Sequence, residues 1–245
     1  MPISRSALCC AAAGLIAVAP PAAHAHPTEA PGISLSWNAC SDDAAAAGDQ
    51  RFVCNTNDRG SPFRLVASVV PDQSISAIEA VETILLVNYA GQLPNWWSID
   101  VGGCRIGSIT QEAPLAASVG GTCGSWLASG LSIGFLSPSL ESQGLVITAE
   151  WDNPGGVTSS VTAGQRYVAN LFDIDQQHTV ALAPGDVACA GCATPAELSL
   201  MSVRFIRAST SIEYTAPSGS KTVTWQGPSV PTTNRTWGEI KALYR

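Results

Sequence analysis

The sequence predicts an all-β protein folded as an antiparallel β-sandwich, and three observations carry that prediction. The clearest is the stretch Gly144 to Asp175, where two alternating runs flank a turn-rich segment. Leu145, Ile147, Ala149 and Trp151 alternate with Val146, Thr148 and Glu150, and Tyr167, Ala169 and Leu171 oppose Val168, Phe172 and Ile174. That is the period of two of a half-buried strand. Composition supplies the second. Sixteen prolines and twenty-two glycines in 245 residues, with few helix-favouring Lys, Glu or Met, mark many turns between short strands. The third is 46% hydrophobic residues against 13% charged, far from the make-up of a disordered chain.

The N-terminus reads as an export signal. Arg5 begins a positive n-region, Ala7 to Ala19 is apolar and short, and Ala23-His24-Ala25 is an A-x-A cleavage site. Residues 1–25 are therefore expected to be removed before His26, and 26–32 to form a mobile, Pro-containing leader. No later apolar run reaches the roughly 20 residues of a membrane span. Cys9 and Cys10 lack the flanking pattern of an acylated cysteine. The mature chain is expected outside the cell or on its surface, with the periplasm as a further address.

Residues 33–226 are expected to form the sandwich. Ile33, Leu35 and Trp37 alternate with Ser34, Ser36 and Asn38. Ser41 to Gln50 is an acidic, Ala-rich loop. Phe63 to Val70 is a strand ending at the Pro71-Asp72 turn. Ile75 to Tyr89 allows a helix through Ile75, Ile78, Glu79 and Glu82, but Val81, Thr83, Leu85, Val87 and Tyr89 alternate and favour strand. Val101 to Cys123 is a glycine-rich loop, and Gly130 to Ser142 is a possible seam. Asp152 to Gly156 is a reversal, since Pro154 removes a ladder donor and Gly155 and Gly156 accept positive φ. His178 to Leu182, Leu198 to Arg207, Ser211 to Tyr214 and Lys221 to Gln226 complete the expected strands. After the Pro-rich 227–233, Thr236-Trp237-Gly238-Glu239 has the T-x-x-E spacing of a capping box. A short C-terminal helix would place Trp237, Ile240, Leu243 and Tyr244 on one side. It needs a surface to lie against.

Six cysteines survive maturation: Cys40, Cys54, Cys104, Cys123, Cys189 and Cys192. An even count in an exported chain implies disulfides, and sequential pairing is expected: Cys40 with Cys54, Cys104 with Cys123, Cys189 with Cys192. The CAGC at Cys189 to Cys192 has no helix to activate a thiolate and no matching pair to complete a zinc site, so it reads as a loop staple.

No constellation converges on catalysis. His26 and His178 are the histidines left after maturation, and no G-x-S-x-G elbow accompanies them. Glu79 with Glu82, or Asp173 with Asp175, reads as solvated carboxylate rather than a glycosidase pair. Asn55, Asn57 and Asp58 before Gly60 resemble a calcium loop only until Arg59 and Val66 fill ligand positions. Asp42, Asp43 and Asp49 allow a looser cation site, with a solvated loop the plainer reading. No metal or other cofactor is expected.

A net charge of −7 without a Lys/Arg cluster argues against nucleic acid as a partner. Trp96 and Trp97 are the candidates for ligand binding, because adjacent strand residues point to opposite faces and one ring would then be outside, able to stack on a sugar. The alternative is that the pair spans core and rim while Trp37, Trp126, Trp151 and Trp225 fill the core. The reading that results is a non-catalytic secreted or surface module whose partner is a protein or glycan. A carbohydrate-binding module is the alternative, and a secreted hydrolase the third. Asn234-Arg235-Thr236 fits a glycosylation acceptor.

As a set, several short motifs carry a resemblance. They are Leu35-Ser36-Trp37 with Cys40, Leu93 to Trp97, Gly103-Cys104-Arg105, Ala163 to Tyr167, Cys189 to Cys192 with Pro195, Val223 to Gly227, and Thr236 to Arg245. In these the chain resembles uncharacterised secreted bacterial proteins seen mostly in environmental genomes. The resemblance implies a cohesin-like or immunoglobulin-like sandwich and brings no catalytic residues. A further cysteine often follows the CxGC-Pro segment in those proteins, where this chain has Ala196-Glu197, so its pairing can differ. The shared tail suits a sorting or docking signal, or a structural cover over the open end of the sandwich.

Overall fold

The computed structural model describes residues 29–227 except 90, 116–118, 120–121, 128–131 and 143. The expected signal peptide and the tail carrying Trp237, Ile240, Leu243 and Tyr244 lie outside the described residues. In chain order the strands are β1 (Gly32–Trp37), β2 (Asp49–Gln50), β3 (Phe63–Val70), β4 (Ile75–Ile78), β5 (Ala80–Asn88), β6 (Ile109–Glu112) and β7 (Gly124–Ser125). They continue with β8 (Ile133–Glu141), β9 (Gly144–Asp152), β10 (Ser159–Val161), β11 (Tyr167–Ile174), β12 (Ala196–Arg207), β13 (Thr210–Tyr214) and β14 (Thr222–Trp225). A single 3-10 turn, Asn95–Trp97, is the helical element among the described residues. The protein is nearly all β.

Two sheets face one another. One has the order β1-β3-β11-β6, with β7 parallel to β11. The other runs β2-β14-β12-β5-β9-β8, and β13 shares with β14 the side of β12 opposite β5. Apart from the short β7 and β2 pairings the ladders are antiparallel. A β4–β10 ribbon adds a two-stranded sheet. The core between the sheets takes alternate residues from each side: Ile33, Leu35 and Trp37, then Leu65, Ala67 and Val69, against Val81, Leu85 and Val87, Leu145, Ile147 and Ala149. Period two decided which residues these are.

The alternation of β11 changes partway. The ladder to β3 slips between Val168 and Asn170. Beyond that bulge Phe172 and Ile174 join the central core, while Val168 and Leu171 face outward into a second cluster with Val66, Val119, Cys40 and Cys123. Leu171 therefore lies opposite to the face that simple alternation predicts, because one extra residue re-aims all that follow. The second cluster also covers the outer face of the five-stranded sheet, which explains why β11 is buried along its whole length.

The remaining departures have local causes. Ile75 to Tyr89 is not one strand: the chain breaks at Glu79, just after Ala77 turns to φ 57°. The expected seam carries β8, paired with β9 from Ile133↔Asp152 to Glu141↔Gly144. His178 to Leu182 is not a strand. His178 has φ 58°, a left-handed conformation that ends extended structure. In the leader, Glu29 forms an ion pair with the buried Arg166, whose other nitrogen donates to Ser34 Oγ (2.9 Å) and Ser68 Oγ (3.1 Å).

Candidate functional site

The six cysteines among the described residues are all paired, but not sequentially. Cys40 bonds Cys123, Cys54 bonds Cys192, and Cys104 bonds Cys189, with sequence separations of 83, 138 and 85 residues. The reason is the topology: the sheets bring together loops that are remote in sequence, whereas sequence neighbours leave opposite strands. CAGC thus reaches two partners from one loop. Gly191 has φ 106°, and a Cβ there would stand 2.4 Å from Pro94 Cβ, so only glycine lets this loop lie against the Leu93 to Trp97 turn.

That turn settles the two tryptophans. Asn95–Trp97 is a 3-10 turn, not a strand, so successive rings are not sent to opposite faces, and Trp96 and Trp97 are both fully buried. Neither offers a stacking surface. Trp96, Trp97 and Trp225 pack together with centroid distances of 4.4 to 5.5 Å, and Trp37, Phe52 and Phe63 extend the group. Trp96 Nε1 donates to Thr179 Oγ1 (3.0 Å), and Trp225 Nε1 to the Cys192 carbonyl (2.6 Å). Trp126 and Trp151 are buried as well.

Arg105 pins this end. It is fully buried, with its guanidinium 3.6 Å over the Trp96 ring. It donates to the carbonyls of Gln177 (2.9 Å), Trp96 (3.0 Å) and Asp175, and the Asp175 carboxylate lies 3.6 Å away. Burial draws its pKa down to about 10, opposed by Asp175, so the group remains a cation at neutral pH. Sequence reasoning gave Arg105 no role. Its one local sign is a basic residue directly after a cysteine in a glycine-rich loop.

Beside the pin opens a cleft of about 580 Å³, lined by Asn57, Arg59, His178, Val180, Leu182 and Val187 among others. Asn57 clamps Val180 by accepting from its N–H (2.8 Å) and donating to its carbonyl (2.7 Å). Asp186, the carboxylate in the lining, accepts from the N–H groups of Leu182 and Ala183. His178 is exposed on the rim. Among the described residues no serine or threonine lines the cleft, and Cys104 is held in its disulfide.

The other carboxylates singled out in the sequence are occupied separately. Asp173 takes Arg64 through both oxygens, Asp175 faces Arg105 and Arg59, and Glu82 pairs with Arg204 at 2.8 Å. Asp42 accepts from Thr122, Asp43 from the Ala45 N–H and Asp49 from Thr224, so the three do not share a centre. Among the described residues no group of three His, Cys, Asp or Glu side chains is placed to hold a metal ion, and no helix is long and apolar enough to cross a membrane.

Among the described residues, the outer face of the seven-stranded sheet is open. Register places Phe135, Glu150, Glu82, Arg204 and Glu213 in one row across β8, β9, β5, β12 and β13. Neighbouring rows hold half-buried Val146, Leu86 and Ile84. Ile133, Phe135 and Met201 are 55%, 58% and 40% exposed. Burial raises the Glu150 pKa, helped by Asp152 alongside it.

Comparison with known proteins identifies little. No family model and no curated protein matches the chain. Among solved structures it is similar to a cohesin module from a family 33 glycoside hydrolase of Clostridium perfringens, at 6% identity over 80% of this chain and 94% of that one, with a TM-score of 0.33.

Proposed function

We propose that this protein is a non-catalytic exported interaction module, of cohesin-like or immunoglobulin-like sandwich type, that meets a protein partner at the cell surface through the outer face of its seven-stranded sheet. The observation that carries this reading is the asymmetry between the two outer faces. The five-stranded sheet is covered by its own loop and the Cys40–Cys123 bridge, whereas the seven-stranded sheet leaves Ile133, Phe135 and Met201 in solvent beside half-buried Ile84, Leu86 and Val146. An apolar stripe rimmed by charge on an otherwise finished sheet is what a recognition surface requires. Three disulfides suit an oxidising compartment, which supports release to the medium or surface, with the periplasm as a further address. A resemblance to secreted bacterial proteins belongs to the same reading.

A glycan-binding role has lost the two residues on which it stood, since every described tryptophan is buried. The test compares purified wild-type protein with Phe135→Ser and Glu213→Lys on envelopes from cells that express it. Both side chains are on the surface, so unfolding should be unchanged within about 0.5 kcal/mol. Retention on envelopes falling at least about tenfold fits a contact face. Retention equal to wild type in both variants removes the face from the interaction.

A further inference from the structure

We propose that residues 228–245 of this chain dock on the disulfide-bonded end of the sandwich, seating the apolar side of Trp237, Ile240 and Leu243 in the cleft bounded by Val180, Leu182 and Val187. The surface is distinct from the open sheet face, and the proposal stands or falls independently of the function given above. Three observations lead to it.

The first is where the chain leaves. Gly227 N–H donates to the Gln50 carbonyl, and Gln226 Nε2 stands 3.0 Å from Cys54 Sγ and 3.1 Å from the Cys192 carbonyl. Three residues beyond Cys54, Asn57 lines the cleft, and three before Cys192, Cys189 is bonded to Cys104, which lines it too. The eighteen residues after Gly227 thus start beside loops that run on into the cleft wall. The nine residues 228–236 can span at most about 30 Å, a reach sufficient to bring Trp237 to the cleft.

The second is the apolar exposure of that end. Leu182 and Val187 are 75% and 74% exposed, and Val53, Val101 and Ile106 are exposed on the adjoining loops. These residues sit on loops fixed by two disulfides and by Arg105, so the surface is preformed and docking would order only the incoming segment.

The third is charge. The segment carries Arg235, Lys241 and Arg245 against Glu239. In the cleft lining Asp186 stands with Arg59 and His178, and Asp186 has no ion-pair partner among the described residues. The segment is net basic, and Asp186 gives it one unpaired carboxylate on the cleft wall.

Hydrogen exchange on the mature, oxidised full chain reads this directly, with trypsin cleavage after Arg235 and Lys241 as a second readout. The amides of 237–244 are expected to exchange at least about tenfold more slowly than an unstructured segment. The double variant L182E/V187E, two exposed positions that leave the core untouched, should return them to unstructured rates and speed trypsin cleavage. W237A/L243A should in turn deprotect 180–188. Unstructured rates in the native protein overturn the proposal. Protection that survives L182E/V187E also overturns it, by moving the docking site elsewhere. Protection that grows with protein concentration overturns it too, since the segment then docks on a second copy.

Discussion

Replacing Arg105 with methionine tests whether one guanidinium holds the disulfide-bonded end together. Methionine keeps a flexible stem against Trp96 but removes every donor, so the carbonyls of Trp96, Asp175 and Gln177 lose their charged partner. Hydrogen bonds to a charged group contribute about 1.5–3 kcal/mol each, and the stacking on Trp96 about another 1–2. Removing a buried cation also recovers several kcal/mol of desolvation. The balance is a loss of about 4 kcal/mol. With a urea slope of about 2–3 kcal/mol/M, the midpoint should fall by about 1.5 M, followed by tryptophan fluorescence because Trp96 lies directly beneath the change. Arg204→Met is the control. Its pair with Glu82 is 40% exposed on the arginine side, so less than about 1 kcal/mol should be lost. The pH dependence adds a sign. For this base the folded pKa, about 10, lies below that of the unfolded chain, so protons bound by the unfolded chain exceed those bound by the fold only above about pH 9. The difference between wild type and Arg105→Met should therefore be the same at pH 6 and pH 8.5. A midpoint within about 0.4 M of wild type would refute the pin.

Three further outcomes are expected. Peptide mapping without reduction should recover Cys54 joined to Cys192. Replacing both with serine should cost up to about 5 kcal/mol by chain entropy, read as a lowered thermal midpoint, because the loop closed is long. Glu29→Gln should lower stability by about 1–2 kcal/mol in urea melts by leaving the buried Arg166 with only the more distant Asp42 carboxylate at 3.8 Å; no change would mean that the leader is not anchored. Glu150 holds its proton more tightly in the fold than in the unfolded chain, so its penalty is present above the folded pKa and vanishes below the unfolded one. Glu150→Gln should accordingly melt higher than wild type at pH 7, with the gap closing toward pH 4, and an unvarying gap would contradict the cause assigned.

What the sequence made legible was what a few adjacent residues decide. Ile33, Leu35 and Trp37 face the core, as do Leu145, Ile147 and Ala149, because side-chain alternation is a local property of extended backbone. The bulge in β11 was not legible, since nothing in Val168-Ala169-Asn170 announces a slip whose cause is register with β3. Trp96 and Trp97 were misplaced for a similar reason. Opposite faces follow from a strand, and the residues after Pro94 form a 3-10 turn closed by the Trp97 N–H on the Pro94 carbonyl. The disulfides failed on distance along the chain: a nearest-neighbour rule cannot see that β1, β3, β11 and β14 deliver their ends to one place. Arg105 and Arg166, the buried cations, gave no signal, because what marks them is the set of carbonyls, hydroxyls and carboxylates that the fold assembles around each.

The interleaved disulfides also set an order of events at birth. A chain emerging N-terminus first presents Cys40 and Cys54 together long before Cys123 or Cys192 is available, and Cys104 meets Cys123 before Cys189. An oxidant acting on the emerging chain would therefore join neighbours, and each such bond is non-native. Native pairing has to wait for the last strand or be reached by exchange, through a thiolate attacking a wrong disulfide and releasing its partner. Production of this protein should thus depend on an isomerase or a mild thiol buffer far more than on the strength of the oxidant.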